Sequence, residues 1–377
     1  MRKQEGNLTK KKKGVILVSG SSGRIGTSLI KQLGNDYHIV GFELMKALYA
    51  SANEELVPVD VSSPESVTQA FRHIEDFYGH KILSVVHLAA YYSFEDQGYQ
   101  KYKKITVEGT KNILLALQNF EVEQFIFSST MLVHKPMDPE HAITENSPIE
   151  GRWAYPMSKI ETEEVIHKYR GKIPSVILRI SGVYDDLCHS IPIANQIQRI
   201  YEKQMAGHFF PGDTSHGASF MHMDDLIEAL LLCIKKRKEL AQETILLIGD
   251  DQTLSTDEMQ RKISESLFGK SMRTYRIPKA LAWLGVTLQN MLFAKQKSFI
   301  KPWMVRLADD DYHLNVTLAK QVLGWQPKHH LSKDLDVILE NMKKDPEAWY
   351  KINGLKPSLH IRHLWKKEGK KQNKKRS

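Results

Sequence analysis

Cysteine is scarce in this chain, with only Cys188 and Cys233 among 377 residues. Two thiols exclude a disulfide framework and a four-ligand zinc site, so no metal is expected. No stretch reaches the ~20 consecutive apolar residues that span a bilayer. No apolar run stands before Gly14, so a secretory leader is not expected either, and the expected address is the cytoplasm. No internal repeat is evident. Acidic residues are scarce at both ends. Residues 1–13 carry six Lys/Arg against Glu5, and residues 360–377 carry eight against Glu368. The formal charge of +9 thus belongs to the ends, and the body from 14 to 359 stands at −3. Solvated basic tails are the expectation for 1–13 and 346–377, with peripheral attraction to anionic lipid as the sharper alternative. No aromatic-rich RNA motif accompanies them, so nucleic acid is not an expected partner.

What is present is a rhythm of short apolar runs and helix-length segments. Val15–Val18, His38–Phe42, Val57–Asp60, Ile82–His87, Phe125–Phe127 and Ser175–Leu178 read as strands. Ile25–Leu33, a helix opened by Ser63-Pro64-Glu65, Thr106–Gln118 and a segment from Tyr155 to about Tyr169 read as the helices between them. This alternation predicts an α/β fold with a Rossmann-type doubly wound parallel sheet. After Tyr184 the rhythm breaks, although Ile245–Ile248 reads as a late strand returning to the sheet. The expected layout is a dinucleotide-binding part over 14–185 plus about 221–250. A smaller, mixed substrate-capping region follows over about 186–220 and 251–345.

Gly20-Ser-Ser-Gly23-Arg-Ile-Gly26 lies between the first strand and the first helix. Such a turn lets backbone N–H groups and the helix N-terminus approach a pyrophosphate. Gly20, Ser22, Gly23, Arg24, Ile25 and Gly26 are therefore candidate cofactor contacts. Glu43, at the tip of the second strand, suits the adenosine ribose hydroxyls and would repel a 2′-phosphate; with Lys46 not adjacent, NAD is expected over NADP. Asp60 and Val61 suit the adenine edge. Tyr155 and Lys159, four apart, share one helix face, and a fixed cation beside a phenol lowers its pKa from ~10 toward neutrality.

The ordered set of motifs resembles the extended short-chain dehydrogenase/reductase family, in its epimerase/dehydratase-like branch. It comprises the glycine turn, Asp60-Val61, His87-Leu-Ala-Ala90, Thr106-Val-Glu-Gly-Thr110, Ser128-Ser-Thr130 and Tyr155-Pro-Met-Ser-Lys159. Leu178-Arg179, Gly182-Val-Tyr184, His222-Met-Asp-Asp225 and Leu323-Gly-Trp325-Gln-Pro327 complete it. The resemblance implies Tyr155 as general acid/base and Lys159 as holder of the nicotinamide ribose. Thr130 would bond the reacting oxygen, with Ser129 as runner-up, while Leu88, Ala89 and Ala90 would line the cofactor's path. It also implies a homodimer formed through the 106–118 and Tyr155 helices. His87 and His222 are expected as scaffold.

Departures narrow the chemistry. Ala218 stands where nucleotide-sugar members carry an Arg, with Lys203 as a substitute cation. Met131-Leu132 stand where dehydratases carry Asp-Glu. His134 reads as an exposed loop residue. The apolar segment Ile277–Phe293 reads as core or pocket wall, with an interfacial helix as the rival. The expectation is an oxidoreductase acting on a secondary alcohol or ketone as small-molecule substrate. The alternatives are a nucleotide-sugar epimerase with a transient keto intermediate and, further off, an NAD-binding regulator or scaffold.

Overall fold

The structure, a computed structural model, describes residues 12–44, 54–94, 98–292 and 300–376. Its first half alternates strand and helix: β1 Val15–Ser19, α1 Arg24–Leu33, β2 His38–Glu43, β3 Glu54–Pro58, α2 Pro64–Tyr78 and β4 Lys81–His87. α3 Gly109–Leu117, β5 Phe125–Thr130, α4 Ala154–Tyr169 and β6 Ser175–Ile180 follow. α5 Ile191–Tyr201 and α6 Met223–Lys235 precede β7 Glu243–Ile248. The strands pair in the order β7-β6-β5-β4-β1-β2-β3, with Glu121–Val122 as a short addition beside β4. Every pairing is parallel.

Continuous apolar runs suit these strands because helices cover both faces. In β1, Ile16 and Val18 pack with Leu29 and Ile30 of α1 and Leu226 and Leu230 of α6. Val15 and Leu17 point the other way, into a core shared with Phe71, Ile113 and Ile166. Strand order reverses on either side of β1, and that is where a doubly wound sheet opens a crevice at its carboxyl edge.

The remaining segments are mostly helical: α7 Thr256–Phe268, α8 Lys279–Leu292, α9 Pro302–Arg306, α10 Thr317–Leu323, α11 Leu331–Lys344, α12 Pro346–Ile352 and α13 Leu359–Arg376. Two short parallel pairs accompany them, Gly182–Tyr184 with Phe220–His222 and Phe209–Pro211 with Tyr275–Ile277. A third core joins Ile193 and Ile197 of α5, Ile263 of α7 and Leu335, Ile338 and Leu339 of α11. Trp325 is fully buried and its Nε1 donates to the Asp225 carbonyl at 2.9 Å. The Asp225 carboxylate accepts from the Lys328 and His329 amides, both at 3.0 Å, so two distant motifs hold each other.

The elements of the fold depart from the sequence expectations in four places. β3 lies at Glu54–Pro58 instead of 57–60, which leaves Asp60 in the turn beyond it. The helix expected from Thr106 begins at Tyr99 and passes through a wider π-helical turn at Lys103–Glu108. The segment after 346, expected as a solvated tail, buries Trp349 and Tyr350 in the third core because α12 lies against α11. Within the apolar segment 277–293, Lys279–Leu292 forms α8, with Leu281, Leu284, Leu288 and Met291 facing solvent and not a core. Of the N-terminal basic stretch, residues 1–11 lie outside the described residues, as does Lys46.

Candidate active site

Thr130 is the last residue of β5, and Tyr155 and Lys159 stand on the first turns of α4. Alternation along β5 sends Ser128 and Thr130 to one side and Ser129 to the other. Lys159 is buried, donates from Nζ to the Ser128 carbonyl at 2.6 Å, and lies 5.8 Å from the Tyr155 ring centre. Burial pushes its ammonium down to about 7, against a smaller opposing pull from Glu163. Burial likewise pushes the Tyr155 phenol up to about 12, while a hydrogen bond with Thr130 works the other way. Lys159 is not among the groups that move the phenol in this structure. The Tyr155 hydroxyl is therefore a proton donor at neutral pH, and a positive charge brought close to it would shift it toward the phenolate.

Ser129 does not join this group. Its hydroxyl donates to the Glu163 carboxylate, one turn beyond Lys159 on α4. Glu163 accepts from the buried Arg179 at 2.7 and 3.3 Å, and Arg179 also reaches His134 Nε2 at 3.1 Å and the Glu145 carbonyl at 2.9 Å. His134 is fully buried, which corrects the expectation of an exposed loop residue. Burial and the adjacent Arg179 guanidinium hold its pKa down at about 4. Nothing in the residues around His134 announces this role, because its partners lie 13 to 45 positions away.

The glycine turn meets the conditions for a dinucleotide. Gly20 has φ +71°, and a Cβ there would lie 2.9 Å from the Ala89 amide nitrogen. A Cβ on Gly26 would lie 2.5 Å from the Gly20 carbonyl oxygen. α1 begins with Gly23 as its cap, no side-chain cap and no acid in its first turn, so its N–H groups stay available to an anion. Ser22 Oγ is buried without a hydrogen-bond partner in the same turn. The Ser22 amide donates to Glu43 Oε2 at 3.2 Å, which brings the second-strand carboxylate to the turn. Arg24 is turned away from the turn's backbone and pairs with Asp185 at 2.5 Å. Ile25 packs against the core under α1.

The other expected cofactor contacts lie in the segments that follow β3 and β4. Leu88 and Ala89 follow β4, their amides donating to the Ser19 carbonyl at 3.0 Å and the Ser19 hydroxyl at 3.3 Å. Ala90 continues that path and is half-buried. Asp60 is exposed and accepts from the Ser62 amide and hydroxyl at 2.9 and 2.7 Å. Val61 is buried beneath α3, where a Cβ on Gly109 would lie 2.9 Å from its side chain. His87 is fully buried between the Ser19 hydroxyl at 2.6 Å and the Thr110 hydroxyl at 2.9 Å. Burial, with Lys159 nearby, lowers its pKa to about 3, so it is a neutral scaffold group. His222 caps α6 by accepting from the Asp224 amide at 3.2 Å and stacks on His329 with ring centres 4.0 Å apart. His222, Asp224 and His329 bring ligand-type atoms within 4.8 Å of one another, but that cap occupies His222 Nδ1.

Beside Tyr155 the structure gathers rings that the sequence reading did not assign. Tyr92 meets Tyr155 edge-on at 4.8 Å, and Trp153 lies 5.4 Å from it. Trp153 in turn stacks with Phe94 at 6.1 Å and meets Trp303 at 5.0 Å. Phe94, Trp153 and Trp303 form one wall of a cavity of about 360 Å³ whose other walls include Leu132, Phe220 and Met259. Ala218 lines it too, while Lys203 is exposed and does not. The cations that do line it are Arg152, which pairs with Asp310 at 2.5 Å, and Arg199.

Residues 16–249 match the family model described as the NAD dependent epimerase/dehydratase family. Among curated proteins, the chain is 23% identical over 278 residues to an N-acetyl-alpha-D-glucosaminyl-diphospho-ditrans,octacis-undecaprenol 4-epimerase of Escherichia coli O157:H7, covering 72% of this chain and 77% of that one. It is 21% identical over 329 residues to a 3-beta-hydroxysteroid dehydrogenase of Mycolicibacterium neoaurum, covering 83% and 87%. Among solved structures, a UDP-glucuronic acid 4-epimerase from Bacillus cereus in complex with UDP-glucuronic acid and NAD superimposes with a TM-score of 0.66. That match has 21% identity over 88% of this chain and 99% of that one, and it carries the fold. The fold, the NAD-type crevice and the matched span lead to one conclusion: the chain belongs to the NAD-dependent epimerase/dehydratase family, within the extended short-chain dehydrogenases/reductases.

Proposed function

We propose that the protein is an oxidoreductase that interconverts a secondary alcohol and a ketone, with NAD as hydride partner and Tyr155 as proton carrier. The observation that carries this reading is the convergence of Thr130, Tyr155 and Lys159 at the carboxyl edge of β5, two strands from the glycine turn of β1. NAD, when bound, supplies the hydride donor or acceptor. Glu43 and the turn from Gly20 to Gly26 hold its adenosine and pyrophosphate parts, and Lys159 is the residue available to its second ribose. Thr130 orients the phenol and the substrate oxygen together. In reduction Tyr155 gives its proton to the carbonyl oxygen; in oxidation it takes the hydroxyl proton as the phenolate, the form that a positive charge beside it would favour. Met131 and Leu132 supply no second acid or base, so the residues favour hydride transfer without loss of water.

The aromatic and aliphatic wall beyond Trp153 favours a substrate with an apolar body. A second reading, epimerisation of a nucleotide sugar through a transient ketone, is supported by the epimerases among the relatives. Incubation with NAD and a panel of hydroxysteroids, aryl carbinols and UDP-sugars separates the two. Net NADH formation from an alcohol supports the first. Isomer formation with no net NADH supports the second and sinks the first. For assembly we extend the proposal to a homodimer through α3 and α4, where Leu115 and Met157 face solvent; a monomer mass by light scattering refutes it.

A further inference from the structure

Arg199 lies on α5 and lines both the large cavity and a smaller one of about 230 Å³ next to it. Phe210, Met304 and Ala308 line both cavities with it and offer no charge, while Asp310, which lines the larger one, is paired with Arg152. Among the described residues no carboxylate lies within ion-pair reach of it. Its Nη2 instead donates to the Gln196 side-chain oxygen, and Gln196 donates to Gln260, which donates to the Gly207 carbonyl at 2.5 Å. This relay of amides fixes the guanidinium without neutralising it. Desolvation alone lowers its pKa to about 10, with no acid acting on it. A desolvated cation without a counter-charge is costly, and proteins keep one where an anion arrives. Arg152, the other cation of the cavity, is already committed to Asp310 and Glu150.

We propose that Arg199 is the anchor for an anionic group on the substrate, a phosphate or carboxylate, with the apolar body lying along Trp153, Phe220 and Met259. The inference rests on the oxidoreductase reading for the cavity's role, since Trp153 touches both the cavity and Tyr155. A charge-assisted bond of this kind, typically worth ~1.5–3 kcal/mol, corresponds to about ten- to a hundredfold in affinity.

The test is binding of decyl phosphate, decanol and UDP to the NAD-loaded full chain, read by quenching of Trp153 and Trp303. Decyl phosphate is expected to bind at least tenfold more tightly than decanol. Arg199→Met removes that preference and leaves decanol unchanged, whereas Arg199→Lys keeps part of it. UDP binding that also falls with Arg199→Met supports the anchor and identifies the anion as a nucleotide's diphosphate. Equal binding of decanol and decyl phosphate to the wild type, together with UDP binding indifferent to Arg199→Met, overturns the proposal. Because the readout is binding, failure of hydride transfer leaves it intact, and the two readings fail separately.

A second, independent observation concerns α8. Leu281, Leu284, Leu288 and Met291 are 62, 50, 49 and 72% exposed and fall at i, i+3, i+7 and i+10, so they form one stripe along the helix. Trp283, 40% exposed, lies off this stripe and lines a shallow pocket with Val305 and Arg306 of α9. From 266 to 308 the sequence holds eight Lys/Arg and no Asp or Glu, in a body otherwise net acidic. Within that span, Lys270, Arg273, Lys301 and Arg306 have no carboxylate partner among the described residues. An apolar stripe within an acid-free basic segment is the combination that an anionic bilayer surface binds. We infer that α8 lies on an anionic lipid surface, beside α9, whose Trp303 and Met304 line the substrate cavity. Wild-type protein is expected to co-sediment with phosphatidylcholine vesicles containing phosphatidylglycerol, much less with phosphatidylcholine alone, and Leu284→Glu/Leu288→Glu abolishes it. No sedimentation with the anionic vesicles, or a dimer that the double variant dissociates without any lipid binding, overturns it.

Discussion

The sheet and the helical cluster that follows it solve different problems with different materials. At the glycine turn of the sheet the fit is made by backbone: Gly20, Gly26 and the uncapped start of α1 offer N–H groups and closeness. In the cluster and along its boundary, large side chains do the shaping: Trp153, Trp303, Phe220 and Arg199 line a cavity of about 360 Å³. The difference teaches that the cofactor end is defined by what cannot be larger. The substrate end is defined by what is large, and one family's sheet can therefore serve many substrates.

The strongest way to break this contrast is Tyr155→Phe, which removes the proposed proton carrier at the edge of the sheet. Turnover is expected to fall by about 10²–10⁴-fold, while NAD affinity by calorimetry stays within about twofold. Comparable loss of NAD binding would mean that the phenol is structural. Next comes Arg179→Met, which leaves Glu163 buried and unpaired and is expected to cost about 3–5 kcal/mol in urea unfolding. Glu163→Gln added to it should recover part of that loss.

The pH dependence is smaller and has a definite sign. Lys159 is held at about 7 when folded, below its ordinary value of 10.5, so the unfolded chain binds the extra proton between those values. Stability from this group therefore rises with pH from about 7 to 10.5. Lys159→Met should melt higher than wild type at pH 6.5, with the gap narrowing by pH 9.5. His87 and His134, held near 3 and 4, add a loss of stability as pH falls below 6.5. A wild-type melting curve flat from pH 4 to 9 would contradict all three placements.

The smallest test sets two glycines against each other. Gly26→Ala forces a Cβ to 2.5 Å from the Gly20 carbonyl and should weaken NAD binding by at least tenfold. Gly285→Ala, in the exposed α8 with nothing within 4 Å, should stabilise by about 0.5–1 kcal/mol. Equal effects would erase the distinction between the regions.

Legibility in the sequence follows the same divide. The sheet was readable because buried parallel strands need unbroken apolar runs, and only β3, which opens with Glu54 and Glu55, hid its start. The turn and the Tyr155–Lys159 pair were readable because their spacing is local. Ser129 and Thr130 are adjacent and chemically alike, and only the alternation of β5 separates them. Arg199 was not readable, since the lack of a carboxylate partner among the described residues is a property of the assembled fold. Trp349 and Tyr350 were hidden by the charged residues around them, Lys343, Lys344, Asp345, Glu347 and Lys351, and α8 by an apolar composition that fits a core equally well.

The placement of Trp349 and Tyr350 has a consequence for how the chain is made. The main sheet is complete once Ile248 has left the ribosome, whereas the third core draws on residues from Tyr184 to Tyr350. During synthesis the dinucleotide crevice is assembled while the helices that border the cavity still wait for their last aromatic pair. A stop codon shortly before 349 would therefore yield a finished sheet attached to an open, sticky cluster, a species for chaperones and proteases to handle.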